Sequence, residues 1–129
     1  MVFDWKEFHD VGDHLKKYPQ EAYQRSAVGR YYYSCYAPVR KYFEAVFRVI
    51  RSDENPHQTI IEELQKANDE KDNELGRYMS NLRSYRNNAD YHNSFRRNNV
   101  LKAEKTSKDI DDLLEDLINE KKRYGFFKF

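Results

Sequence analysis

Apolar residues along this chain recur at steps of three and four, and no stretch alternates as a strand would. The pattern predicts an all-α protein, an up-and-down bundle of about five helices. Neither an internal repeat nor a low-complexity linker divides it, so residues 1–129 read as a single domain. The first helix is expected from Asp4. Asp4 and Glu7 make a capping-box-like pair, and Trp5, Phe8, Val11, Gly12 and Leu15 follow at helical spacing. Tyr18-Pro19 should end it, because a residue before proline avoids the helical region.

The second helix should begin near Gln20 and be the longest. Ala22, Ser26, Gly29 and Tyr33 form a stripe of mostly small residues that invites close approach by another helix. Pro38 falls inside the pattern and predicts a kink, giving one bent helix or two abutting ones. The stripe Val39, Tyr42, Phe43, Val46, Phe47, Ile50 carries it to about Arg51. Pro56 suits the first turn of a short third helix bearing Ile60, Ile61, Leu64 and Ala67, with His57 exposed at its start. After a polar break from Asn68 to Asp72, the fourth helix carries Leu75, Met79 and Leu82. The fifth, from about Asn99, shows Ile110, Leu113, Leu114, Leu117 and Ile118. It has cations at its end, where they complement the helix dipole, and Gly125 to terminate it. The tail Phe126-Phe127-Lys128-Phe129 is apolar enough to pack against the body or a second subunit.

Extended by four, the Leu75, Met79, Leu82 stripe lands on Arg86. An arginine on a buried face must be paired or partly solvated. Either Arg86 is a structural ion-pair member, with Asp90 four residues on, or it lines a cleft where an anion belongs. It opens a segment crowded with chemistry: Arg83, Arg86, Asn87, Asp90, Tyr91 and His92 lie within ten residues. Arginine offers fixed donors for phosphate, and histidine exchanges protons near neutral pH. Together they suffice to cleave RNA without a metal or cofactor. The imidazole moves the proton of the ribose 2′-hydroxyl or of the leaving oxygen, and the guanidinium stabilises the charged phosphorane. Asn87 can orient the phosphate or His92. In a continuous helix Arg86 and His92 lie about 120° apart. Their convergence therefore needs the helix to fray between Asn87 and Asn93, where Asn and Asp compete for backbone bonds, or a symmetric partner. Arg96 and Arg97 add cations in the following linker, and Arg30 and Tyr33 are candidates to reach a ligand.

Composition narrows these choices. Charged residues make up 35% of the chain, but 23 basic stand against 22 acidic, so any nucleic-acid site must be local. The single cysteine, Cys35, excludes an intramolecular disulfide and a multi-cysteine zinc site, and its aromatic surroundings read as core. His9 and His14 read as solvated or capping side chains. With no apolar run of about 20 residues and no secretion signal, the expectation is a cytoplasmic protein with no membrane association.

Two segments carry a family resemblance. The run Gln24-Arg25-Ser26-Ala27-Val28-Gly29-Arg30-Tyr31-Tyr32-Tyr33 resembles the "RSA-x-x-R-x-Y-Y" second-helix signature of HEPN domains (higher eukaryotes and prokaryotes nucleotide-binding). Arg86-Asn87-Asn88-Ala89-Asp90-Tyr91-His92 is similar to their late-helix segment, which in ribonuclease members holds an Arg followed after four to six residues by a His. The resemblance implies a helical bundle that dimerises with the two Arg/His motifs facing each other. It also implies metal-independent endoribonuclease activity in toxin–antitoxin or phage-defence systems, some with a nucleotidyltransferase antitoxin. By position, Arg86 is then the phosphate-stabilising residue, His92 the acid/base and Asn87 its support. Arg30, Tyr33, Arg83, Arg96 and Arg97 are the residues expected to hold RNA around them. Ser94 stands where nucleotidyltransferase-paired toxins carry a tyrosine, and an "ADY" segment also occurs in relatives that lack the histidine. The alternative expectation is a non-catalytic module that binds a nucleotide, RNA or a protein in the same cleft.

Overall fold

A computed structural model describes residues 2–125 of the chain. They form five helices: α1 (Glu7–Leu15), α2 (Glu21–Val46), α3 (Pro56–Lys66), α4 (Glu70–Tyr91) and α5 (Asn99–Arg123). The all-α bundle agrees with the apolar periodicity. No strand occurs among the described residues, and no helix among them is long and apolar enough to cross a membrane. The expected packing of the tail lies outside the described residues.

Helix α2 is the hub, in contact with all four other helices; α3 packs mainly on α4, and α4 also on α5. The buried stripe of α2 is Ala27, Val28, Tyr31, Tyr32, Cys35, Val39, Tyr42 and Phe43. It is not the small-residue stripe: Ala22 and Ser26 are exposed, and nothing lies within 4 Å of a Cβ built on Gly29. Close approach occurs instead at Gly12 and Gly76. A Cβ on Gly12 would meet the Tyr31 ring at 2.7 Å, and one on Gly76 would meet Leu64 Cβ at 2.9 Å and the Gln65 backbone nitrogen at 3.0 Å. Cys35 is buried, as its aromatic neighbourhood implied, and burial pushes its thiol pKa up.

Several boundaries differ from the periodicity. α1 begins at Glu7, after a turn in which the Glu7 N–H donates to the Asp4 carbonyl. α2 is one helix through Pro38, not two abutting ones. Val39, Tyr42 and Phe43 beyond the proline are buried with those before it, and that packing offsets the missing backbone bond. α2 stops at Val46, earlier than the stripe suggests, because Ile50 stays buried without being helical. Its N–H donates to Glu44 Oε2 at 3.2 Å, and Arg48 ties the turn to Glu54 and Glu63. Asn55 caps α3 through the Gln58 N–H, with Pro56 in the first turn. Asp69 caps α4, so Glu70 to Asp72 are already helical.

The helix ends inside the window expected from Asn87 to Asn93, but late in it: α4 stays helical to Tyr91, and His92 is already extended at ψ 138. Asn88 does not compete with the helix backbone. Its Nδ2 donates to the Ser94 carbonyl at 3.2 Å, and its Oδ1 accepts from the Arg96 N–H at 3.3 Å and from Asn99 Nδ2 at 3.4 Å. The amide is spent on the connection that follows. At the end of α5, Gly125 takes φ +69.

Candidate functional site

With α4 continuous, its polar side chains sort by face. Ser80, Arg83, Ser84, Asn87 and Asn88 recur at steps of three and one, so they share one face. That face lines a groove of ≈ 840 Å³, with Gln58, Ile61, Glu62 and Gln65 of α3 on one side and His92, Arg96, Asn99 and Lys102 on the other. Of the residues singled out in the sequence, Arg83, Asn87, His92 and Arg96 meet here. Arg86, Arg30, Tyr33 and Arg97 do not line it.

The groove is set apart by charge that lacks a counter-charge. Arg25, Arg40, Arg48, Arg51, Arg77 and Arg86 each hold a carboxylate. Arg83, Arg96 and Lys102 make no ion pair among the described residues, and the lining has one carboxylate, Glu62, which accepts a hydrogen bond from Gln58. Arg83 is half-buried and its Nε has no hydrogen-bond partner. An unmade bond on a buried donor costs about 1–3 kcal/mol, and no carboxylate among the described residues pairs with this guanidinium. The His92 imidazole is exposed at the groove's rim and makes no hydrogen bond or ion pair of its own. Asn87, Asn88, Asn99 and Gln58 supply neutral donors and acceptors around the cations.

Arg86 sits elsewhere. Its Nε donates to Asp90 Oδ2 at 2.9 Å, and its Cζ lies 5.5, 5.4 and 5.7 Å from the ring centroids of Tyr32, Tyr33 and Tyr91. A cation over ring faces is attracted by their negative quadrupole. With its side chain 15% exposed, Arg86 is a paired member of an aromatic cluster. Arg30 lies over the Phe8 ring at 5.0 Å, and Arg97 donates to the Pro19 carbonyl at 2.8 Å.

Sequence reasoning missed Lys102 and His57. Lys102 is one exposed lysine on a charged helix, and no local signal marks it. His57 was expected to be exposed; it is half-buried, stacked on Tyr36 at 4.1 Å, with Nδ1 2.5 Å from the Tyr32 hydroxyl. Burial, and then the cations of Arg83, Arg86 and Arg40, push its pKa down to about 4, so it is neutral at pH 7. Because burial also raises the Tyr32 pKa, that hydroxyl keeps its proton and donates it to Nδ1.

His9 is likewise not solvated. It lies 3.6 Å from Asp13 and 3.2 Å from the Ser107 hydroxyl. His9, Asp13 and Glu104 offer ligand atoms within 4.8 Å of one another, but the Lys16 ammonium already lies 2.6 Å from Glu104 and 3.9 Å from Asp13 and balances their charge. Compared with known proteins, the chain matches no family model, no curated protein and no solved structure.

Proposed function

We propose that this chain is an RNA-binding helical module of the HEPN type, which takes a single-stranded RNA backbone in the groove along α4. One observation carries the reading: Arg83 is held half-buried with neither a counter-ion nor a partner for its Nε, beside two further unpaired cations. A guanidinium binds phosphate in two-pronged fashion, and amides beside it can read exposed base edges. Arg83, Arg96 and Lys102 grip successive phosphates, while Asn87 and His92 meet sugar and base. The test is fluorescence anisotropy of a labelled ten-nucleotide single-stranded RNA across salt concentrations. Three phosphate contacts give a plot of log affinity against log salt with a slope of about −2. Absence of binding at about 50 mM salt overturns the proposal.

A second reading is metal-independent RNA cleavage by a homodimer acting as a toxin or phage-defence effector. The exposed, unbonded imidazole of His92 favours it, since an acid/base group needs an accessible nitrogen. Cleavage then needs Arg86 to leave Asp90 and meet a His92, its own or that of a partner protomer. RNA incubated in EDTA decides between them. Fragments with 2′,3′-cyclic phosphate ends that vanish in both His92→Ala and Arg86→Ala establish cleavage; intact RNA leaves binding alone.

A further inference from the structure

The groove's far wall is not made by α4 alone. Residues 92–98 carry His92 and Arg96 into it, and they are neither helix nor strand. Such a segment holds a position only if its backbone groups find partners. The last carbonyls of a helix have none within the helix, and the dipole leaves negative charge there.

We propose that Arg25, on α2, is the positioning residue that sets this wall, and so the spacing of His92 and Arg96 in the RNA groove. Its Nη1 donates to the Ala89 carbonyl at 2.9 Å and to the His92 carbonyl at 2.6 Å, and its Nη2 donates to the Asn93 carbonyl at 3.0 Å. Its Nε is held by Glu21 at 3.1 Å, and its Cζ lies 5.1 Å from the Phe95 ring centroid. One planar cation thus ties five residues from two elements into a fixed arrangement. From the groove side, Asn88 holds the same segment through Ser94 and Arg96. Arg25 itself does not line the groove. Lysine cannot replace it: a point charge on a flexible stem does not satisfy three carbonyls at once while lying flat on a ring.

The assignment rests on the RNA-binding reading for its functional consequence, and its test separates the two. Arg25→Lys keeps the charge and loses the fork. Two measurements are made on the folded variant, with helix content checked by circular dichroism. Hydrogen exchange of the Arg96 amide, bonded to Asn88 Oδ1, should speed at least about tenfold while buried α2 amides are unchanged. RNA affinity should fall about tenfold, and the loss should be non-additive with Arg96→Gln in a double-mutant cycle, because Arg25 acts through the segment that holds Arg96. Unchanged Arg96 exchange overturns the clamp whatever RNA does. Additive losses overturn the positioning role and make Arg25 an independent contact. If the wild type binds no RNA, the exchange experiment still decides the clamp. Should Arg25→Lys not fold, Phe95→Leu removes the ring beneath the guanidinium and is read in the same way.

Discussion

Replacing Arg83 with methionine should make the protein more stable and a poorer RNA binder, the reverse of what loss of a half-buried arginine usually does. Methionine keeps an apolar stem of similar length and removes the charge and the unsatisfied Nε. A buried donor left unbonded costs about 1–3 kcal/mol. The stem and the part of the guanidinium that still reaches water return some of this, leaving a gain of about 1 kcal/mol. With an unfolding entropy of about 2.1 cal/mol/K per residue over 129 residues, that gain is a rise in Tm of about 4 °C. On the binding side, a charge-assisted bond to phosphate is worth about 1.5–3 kcal/mol, so affinity should fall roughly ten- to a hundredfold. The salt slope should become shallower by about 0.7 for the one lost phosphate. Thermal melts by circular dichroism and anisotropy titrations at several salt concentrations measure both. A lower Tm, or an unchanged affinity and slope, refutes the reasoning that Arg83 carries an unmade bond and meets an anion.

Three further outcomes follow from the same geometry. His57 titrates near pH 4 in the folded chain and near 6.5 when unfolded, so the unfolded state binds the proton more tightly. Stability is therefore full above about pH 6.5 and declines as pH falls through the window to about 4; in Arg83→Met the His57 resonance should titrate at higher pH, and a midpoint that stays fixed would remove Arg83 from its surroundings. Gly76→Ala should destabilise by about 1–3 kcal/mol, because the new methyl meets Leu64 and the α3 backbone; an unchanged denaturation midpoint would show that α3 can shift freely. Tyr42→Phe takes the 2.6 Å donor from the buried Asp72 carboxyl and should cost about 1–3 kcal/mol, with part recovered in the Tyr42→Phe, Asp72→Asn double variant; no recovery would mean the cost lies in packing.

Helix number, order and the approximate starts of α2, α3 and α5 were legible because each is set by local signals: Pro56 behind Asn55, a periodic apolar face, Gly125 past the last turn. The overrun of α2 has a simple cause: periodicity reports burial, and burial continues where helix does not. Ile50 is core but lies in a turn held by Glu44, so the stripe overran α2. Asn87 and Asn88 looked like breakers because their side chains can compete for backbone bonds. Asn88 found its partners in the next connection, and no local rule anticipates that. Of the two outcomes expected at Pro38, one bent helix or two abutting ones, the chain takes a single helix, and buried residues on both sides of the proline hold it together.

The site residues named from the sequence share one segment but not one face, and helix geometry says why. Taking 100° per residue, the mean direction of Ser80, Arg83, Ser84, Asn87 and Asn88 lies roughly 130° from Arg86. Arg86 continues the core stripe, as its spacing with Leu82 and Met79 requires, and that stripe faces the tyrosines of α2. An arginine can end a core stripe there because three rings and Asp90 compensate its charge. The opposite face reads in the sequence as an ordinary solvated stripe of serines, asparagines and one arginine. What distinguishes it is the company supplied from α3, from Lys102 and from residues 92–98, all fixed by tertiary contact. His92 reaches the groove only because the chain leaves the helix there, at ψ 138, and is caught by Arg25 from α2. Arg25 is therefore a physical link between the segment from Gln24 to Tyr33 and the segment from Arg86 to His92: the first holds the end of the second in place.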